Sequence, residues 1–99
     1  MEAQNRIHIT GTITAIDAVR YTPAGISIVE LKLSCESTQT EAGRSRQVAV
    51  DVMALAAGEA ATKLARSPLG ARILVTGFLA HKGRSRTQLI LHINEFEFI

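Results

Sequence analysis

Three segments that alternate apolar and polar residues, then an alanine-rich segment, then two more alternating segments make up this chain. That order predicts an all-β fold, a five-stranded OB-fold Greek-key barrel with one short helix between the third and fourth strands. A basic hairpin tip between the last two strands, in a loop such barrels use for ligands, supports the same prediction. The 99 residues are expected to form one domain, residues 1–99.

The first strand is expected over residues 6–19. Ile7, Ile9, Ile13 and Ala15 alternate with His8, Thr10, Thr12 and Thr14, a period of two. Gly11 interrupts the inward row and points to a bend or bulge there. Residues 20–25 read as a turn, with Pro23 fixing φ and Gly25 free to take positive φ. The second strand covers residues 26–35, with Val29, Leu31, Leu33 and Cys35 on one face and Glu30, Lys32 and Ser34 on the other.

A polar loop is expected over residues 36–45, with Glu41-Ala42-Gly43-Arg44 at its apex. The third strand covers residues 46–53, Val48, Val50 and Val52 facing inward. Residues 54–65 read as a helix weakened at Gly58 by about 1 kcal/mol. Pro68 and Gly70 close it. The fourth strand, residues 72–80, and the fifth, residues 87–99, flank the tip. Leu89, Leu91 and Ile93 share one parity and Phe96 and Phe98 the other, so a bulge belongs near Asn94-Glu95.

Composition narrows the function classes. A hydrophobic content of 46% excludes a disordered chain. No apolar run approaches the roughly 18 residues of a membrane helix, and residues 1–6 lack the basic-then-apolar order of a signal peptide. Cys35, the one cysteine, fits a reducing cytosol.

The charge is unevenly spread. Residues 1–59 hold five bases and seven acids, whereas residues 60–99 hold six bases and two acids. No Asp or Glu occurs between residues 60 and 94, and three of that stretch's bases cluster in His81-Lys82-Gly83-Arg84-Ser85-Arg86. Such a tip concentrates positive potential where a polyanion, above all a nucleic-acid strand, can reach it.

Catalysis is not expected. Asp17 and Asp51 have no neighbouring carboxylate, and Glu95 and Glu97 read as a solvated strand face. Neither a glycine-rich phosphate loop nor zinc-ligand spacing among His8, His81 and His92 occurs, so no metal or cofactor is expected. A small nuclease or tRNA-modifying domain would need such a constellation.

Single-strand binders combine a basic groove with aromatic stacking platforms. The expected nucleic-acid-binding bases are Lys82, Arg84 and Arg86 at the tip, Arg44 and Arg46 at the middle loop, and Arg20 at the first turn. Phe78, Phe96 and Phe98 lie in apolar runs, which leaves Tyr21 as the loop aromatic able to reach a base. Stacking contributes about 1–3 kcal/mol per base, so binding here should run mainly through phosphates and be strongly salt-sensitive.

Asn5-Arg6-Ile7, Thr10-Gly11-Thr12, Thr22-Pro23-Ala24-Gly25-Ile26, Glu41-Ala42-Gly43, Arg46-Gln47, Val75-Thr76-Gly77-Phe78, His81-Lys82 and Leu91-His92 form an ordered set spanning nearly the whole chain. In this set the chain resembles the primosomal replication protein N (PriB) family, related to the bacterial single-stranded-DNA-binding proteins. The resemblance implies an OB-fold homodimer in the bacterial cytoplasm, at the nucleoid. It implies a non-catalytic accessory of the replication-restart primosome that binds single-stranded DNA, stimulates the restart helicase and works with helicase-loading proteins. Lys82, Arg84, Arg20 and Arg46 match basic positions of the family. The chain departs from the family pattern at Arg44 and Ala49, where tight-binding members carry aromatics, and at Glu36, where they carry a base. An adaptor that docks the helicase with only weak DNA binding is the alternative.

Overall fold

The computed structural model describes residues 2–99, so Met1 of the expected domain lies outside the described residues. The strands are β1 (Ile7–Ile16), β2 (Arg20–Tyr21), β3 (Ser27–Glu41), β4 (Arg44–Ala57), β5 (Arg72–His81) and β6 (Leu89–Phe98), and α1 (Glu59–Ala65) lies between β4 and β5. The hydrogen-bonded order is β1-β5-β6-β4-β3-β2, and a further β1–β3 pairing closes the sheet. Five strands therefore form the barrel, with the two-residue β2 appended to β3. This is the expected OB-fold with its single helix.

Period-two alternation explains the core. Val29, Leu31, Leu33 and Cys35 from β3, Ala54 and Ala56 from β4, Ile73 and Val75 from β5, and Leu91 and Ile93 from β6 point inward together with Ile13. Ala61 and Leu64 of α1 are fully buried against them, so the helix plugs one end of the barrel. Cys35 is a free, buried thiol, and burial, helped by the charge of Asp51, pushes its pKa up.

Two glycines are set by close approach. A side chain at Gly11 would meet Cys35 Sγ and Leu33 Cβ, so glycine there makes room for Cys35. A Cβ on Gly77 would run into the His92 carbonyl oxygen. Gly77 sits where the β5–β6 register slips from Thr76↔Glu95 to Gly77↔Ile93, which leaves Asn94 as the extra residue of the expected bulge.

Several expectations are corrected. The bend in β1 falls at Thr14, not Gly11: the β1–β3 register shifts between Ile13 and Ala15, which exposes Ala15 and turns Ile16 inward. β1 also stops at Ile16, short of the expected residue 19. Residues 36–45 are not a loop. β3 and β4 stay paired out to Glu41↔Arg44, and only Ala42 and Gly43 turn the chain, both at positive φ. A two-residue turn with that geometry matches the strand twist, so the ladder runs to the end.

Residues 54–57 are strand rather than helix. Ala54 and Ala56 pair with Leu31 and Val29 on one side and run parallel to Leu91 and Ile93 on the other. Only small side chains fit between those rows, and tertiary packing overrides the helical propensity of alanine. The helix starts one residue after Gly58, whose φ of 69° no other residue adopts easily. In β4, Val50 has the predicted parity yet is 47% exposed, because the hairpin has by then left the barrel. In β6, Leu89 is exposed and Ile90 is buried, the reverse of the alternation expected there.

Candidate nucleic-acid interface

The six predicted bases fall into two groups. Arg20 on β2 and Lys82 at the β5–β6 tip converge on one carboxylate, that of Glu30 on β3. Arg20 Nη1 donates to Glu30 Oε2 at 2.6 Å, and Lys82 Nζ lies 3.4 Å from Oε1. Glu30 thus draws the first turn and the tip onto the outward face of β3. Its side chain is only 12% exposed, so this network is screened less than the other ion pairs of the surface. The Arg20 hydrogen bond, with Lys82 behind it, holds the Glu30 carboxyl below the usual carboxylate range although burial acts the other way.

Local hydrogen bonds shape both loops. Gly25 N donates to Thr22 O at 2.8 Å and Ile26 N to Thr22 Oγ1 at 3.1 Å, which closes the turn beyond Tyr21. At the tip, Lys82 N donates to Gln88 O at 2.9 Å and Ser85 N to Lys82 O at 3.1 Å. The Ser85 hydroxyl accepts from the amides of Thr87 and Gln88 at 3.3 and 3.0 Å. Arg84 and Arg86 stand exposed on this stapled turn and make no ion pair among the described residues.

The second group lies at the hairpin end. Arg46 Nη1 donates to Glu41 Oε1 at 2.9 Å, and both partners are exposed. Arg44 is unpaired among the described residues. The register places Arg46 opposite Gln39 and Arg44 opposite Glu41, on the parity of Val48 and Val50. Glu30 and Lys32 occupy the other face of the same strand pair. From Glu30 to Gln39 the strand extends about 30 Å, so the two basic groups are well separated. The fold therefore unites Arg20, Lys82, Arg84 and Arg86 and leaves Arg44 and Arg46 apart.

Two residues were missed as site members. Lys32 is exposed on the outward face of β3, on the same side as Glu30, with no ion pair among the described residues. Glu30 is the shared counter-charge. The outward parity of both was legible, but which loops fold over them was not. Arg20 and Tyr21 are not in the expected turn but form β2, paired with Ile28 and Ser27 of β3, and Tyr21 is nonetheless 70% exposed beside Arg20. Phe78 instead stacks on His92 with ring centroids 4.9 Å apart, and Phe96 packs against the core. Among the described residues no three His, Cys, Asp or Glu side chains converge as metal ligands, and no helix is long and apolar enough to cross a membrane.

Known proteins share this architecture. A family described as "another single-strand binding protein family" matches residues 5–95. The replication restart protein PriB of Nitrosomonas europaea is 43% identical over 96 residues, 97% of this chain and 89% of that protein. A solved structure of PriB from Ralstonia solanacearum superposes with a TM-score of 0.88 at 38% identity, covering 97% of this chain and 98% of that one. The wild-type single-stranded DNA binding protein of Thermus aquaticus shares the fold at a TM-score of 0.75 and 23% identity, over 97% of this chain and 50% of its own.

Proposed function

The chain belongs to the single-strand-binding protein family, in its replication restart PriB branch, and from that membership we propose that it is a non-catalytic, single-stranded-DNA-binding accessory of replication restart. The observation that carries the reading is the convergence of the first turn and the basic tip on the outward face of β3. Lys82, Arg84 and Arg86 contact phosphates, Arg20 and Lys32 extend that row, and Tyr21 offers one base a stacking face. Arg44 and Arg46 serve a strand long enough to follow the hairpin. Binding is sequence-tolerant because phosphates carry no sequence information.

The protein acts as one domain over residues 1–99, in the cytoplasm at the nucleoid, and as a homodimer. Phe98 and Ile99, exposed at the end of the last strand, support pairing of two copies. It stimulates the restart helicase and works alongside helicase-loading proteins. A second reading, an adaptor that docks the helicase while binding DNA weakly, draws on a specific observation. Three of the six predicted bases are already engaged by carboxylates, and Tyr21 of β2 is the one exposed aromatic beside them among the described residues.

Fluorescence anisotropy with labelled single- and double-stranded oligonucleotides across a salt series tests the main reading. Tighter binding to the single strand, with a linear dependence on log salt, is expected. Helicase stimulation without measurable strand binding would favour the adaptor.

A further inference from the structure

The Glu30 carboxylate spends both of its oxygens on bases from two different segments, Oε2 on Arg20 of β2 and Oε1 on Lys82 of the β5–β6 tip. Two cations converging on two oxygens of one anion is an arrangement that the two free oxygens of a backbone phosphate can also take. The contrast with the hairpin pair is informative. Glu41 and Arg46 are both well exposed, so solvent screens them and their pairing is weak. Glu30 is largely covered, whereas Arg20 and Lys82 are 57% and 46% exposed and stay within reach of a ligand.

We propose that Glu30 is an intramolecular stand-in for a strand phosphate: in the free protein it closes the first turn and the tip over β3, and an incoming phosphate displaces it from Arg20 and Lys82. This rests on the single-strand reading above and specifies how its site is regulated. Binding at these two bases is then an exchange of one anion for another. Affinity falls below what the count of bases implies, and the site discriminates against ligands that offer charge alone. A strand that also stacks on Tyr21 gains something Glu30 cannot supply. Arg84 and Arg86, outside the network, meet phosphates without such competition.

The test compares Glu30→Gln with Glu36→Gln. Both remove one negative charge from the same face of the same strand, but Glu36 holds no base among the described residues. Anisotropy titrations with a labelled single strand are run across salt. E30Q should bind several-fold more tightly than E36Q at each salt concentration, with a similar log–log salt slope, because the same two bases meet phosphate in both. Lys82→Met should cost more affinity in the E30Q background than in the wild type. Equal behaviour of the two variants, or weaker binding by E30Q, overturns the proposal; the latter would make Glu30 a scaffold for the loops.

Heparin chromatography keeps the result independent of the DNA reading. Should the wild type bind no oligonucleotide, that reading fails, while later elution of E30Q than E36Q still supports the exchange and identical elution still overturns it. Glu30→Thr, a residue suited to a strand, is the second variant should E30Q melt early, and it should shift both readouts in the same direction.

Discussion

Replacing Arg84 and Arg86 together by glutamine removes the two tip bases that no carboxylate engages among the described residues. Both side chains are exposed and the turn is held by Ser85, so the variant should keep its stability to within about 0.5 kcal/mol. Each phosphate contact on a single strand contributes about 0.7 to the slope of log affinity against log salt. Losing two contacts should flatten the slope by about 1.4, so over a fourfold rise in salt the variant should lose roughly sevenfold less affinity than the wild type. The loss at low salt should be similar for oligonucleotides of different sequence. Arg46→Gln is the comparison: it removes one base instead of two, in the separate hairpin group, so a smaller change is expected. The assay is anisotropy at four or more salt concentrations, with unfolding curves run alongside. An unchanged slope in a folded variant would show that the tip lies off the path of the strand.

Four further outcomes follow from the structure. Leu64→Ala unplugs the end of the barrel and should cost about 2–5 kcal/mol, read as a drop of at least about 8 °C in the thermal midpoint. Gly77→Ala drives a Cβ into the His92 carbonyl and should cost about 3 kcal/mol by denaturant titration. Ala42→Asn should stabilise by about 1 kcal/mol in the same assay, because Ala42 sits at a φ of 51° and Asn-Gly suits a two-residue hairpin turn. The Glu30 carboxyl is held low in the folded chain, so its contribution is complete above the unfolded value near 4.5 and fades as pH falls through the lower folded value. The difference in thermal midpoint between wild type and E30Q should therefore change as pH falls from about 5 to about 3 and be flat above about 6.

Sequence alone carried the architecture because the inward row of β3 and the parity break of β6 are clean. The β3 set from Val29 to Cys35 and the parity break at Asn94 can both be read from the alternation of side chains. What failed had local signals that pointed the wrong way. Ala54 to Ala57 look helical in isolation, and only the rows of β3 and β6 pressing from either side make them a strand. Residues 36–45 look like a loop because they are polar, yet a paired ribbon with solvent on both faces has no need of apolar residues. The bases were legible by type and loop. Their division into two groups was not, because it depends on how far the hairpin extends and on Glu30 finding partners distant in sequence.

The hairpin beyond Cys35 is a two-stranded ribbon with no sheet behind it, and its amides bond only across to the facing strand. Its order is consequently local, so opening it does not require the barrel to open. Amide hydrogens at its end should exchange with solvent deuterium long before those of Val29 or Val75, and a protease should nick it first. An arm of this kind can change its bend to follow a ligand while the closed sheet stays rigid, and that adaptability depends on the ribbon pairing only with itself among the described residues.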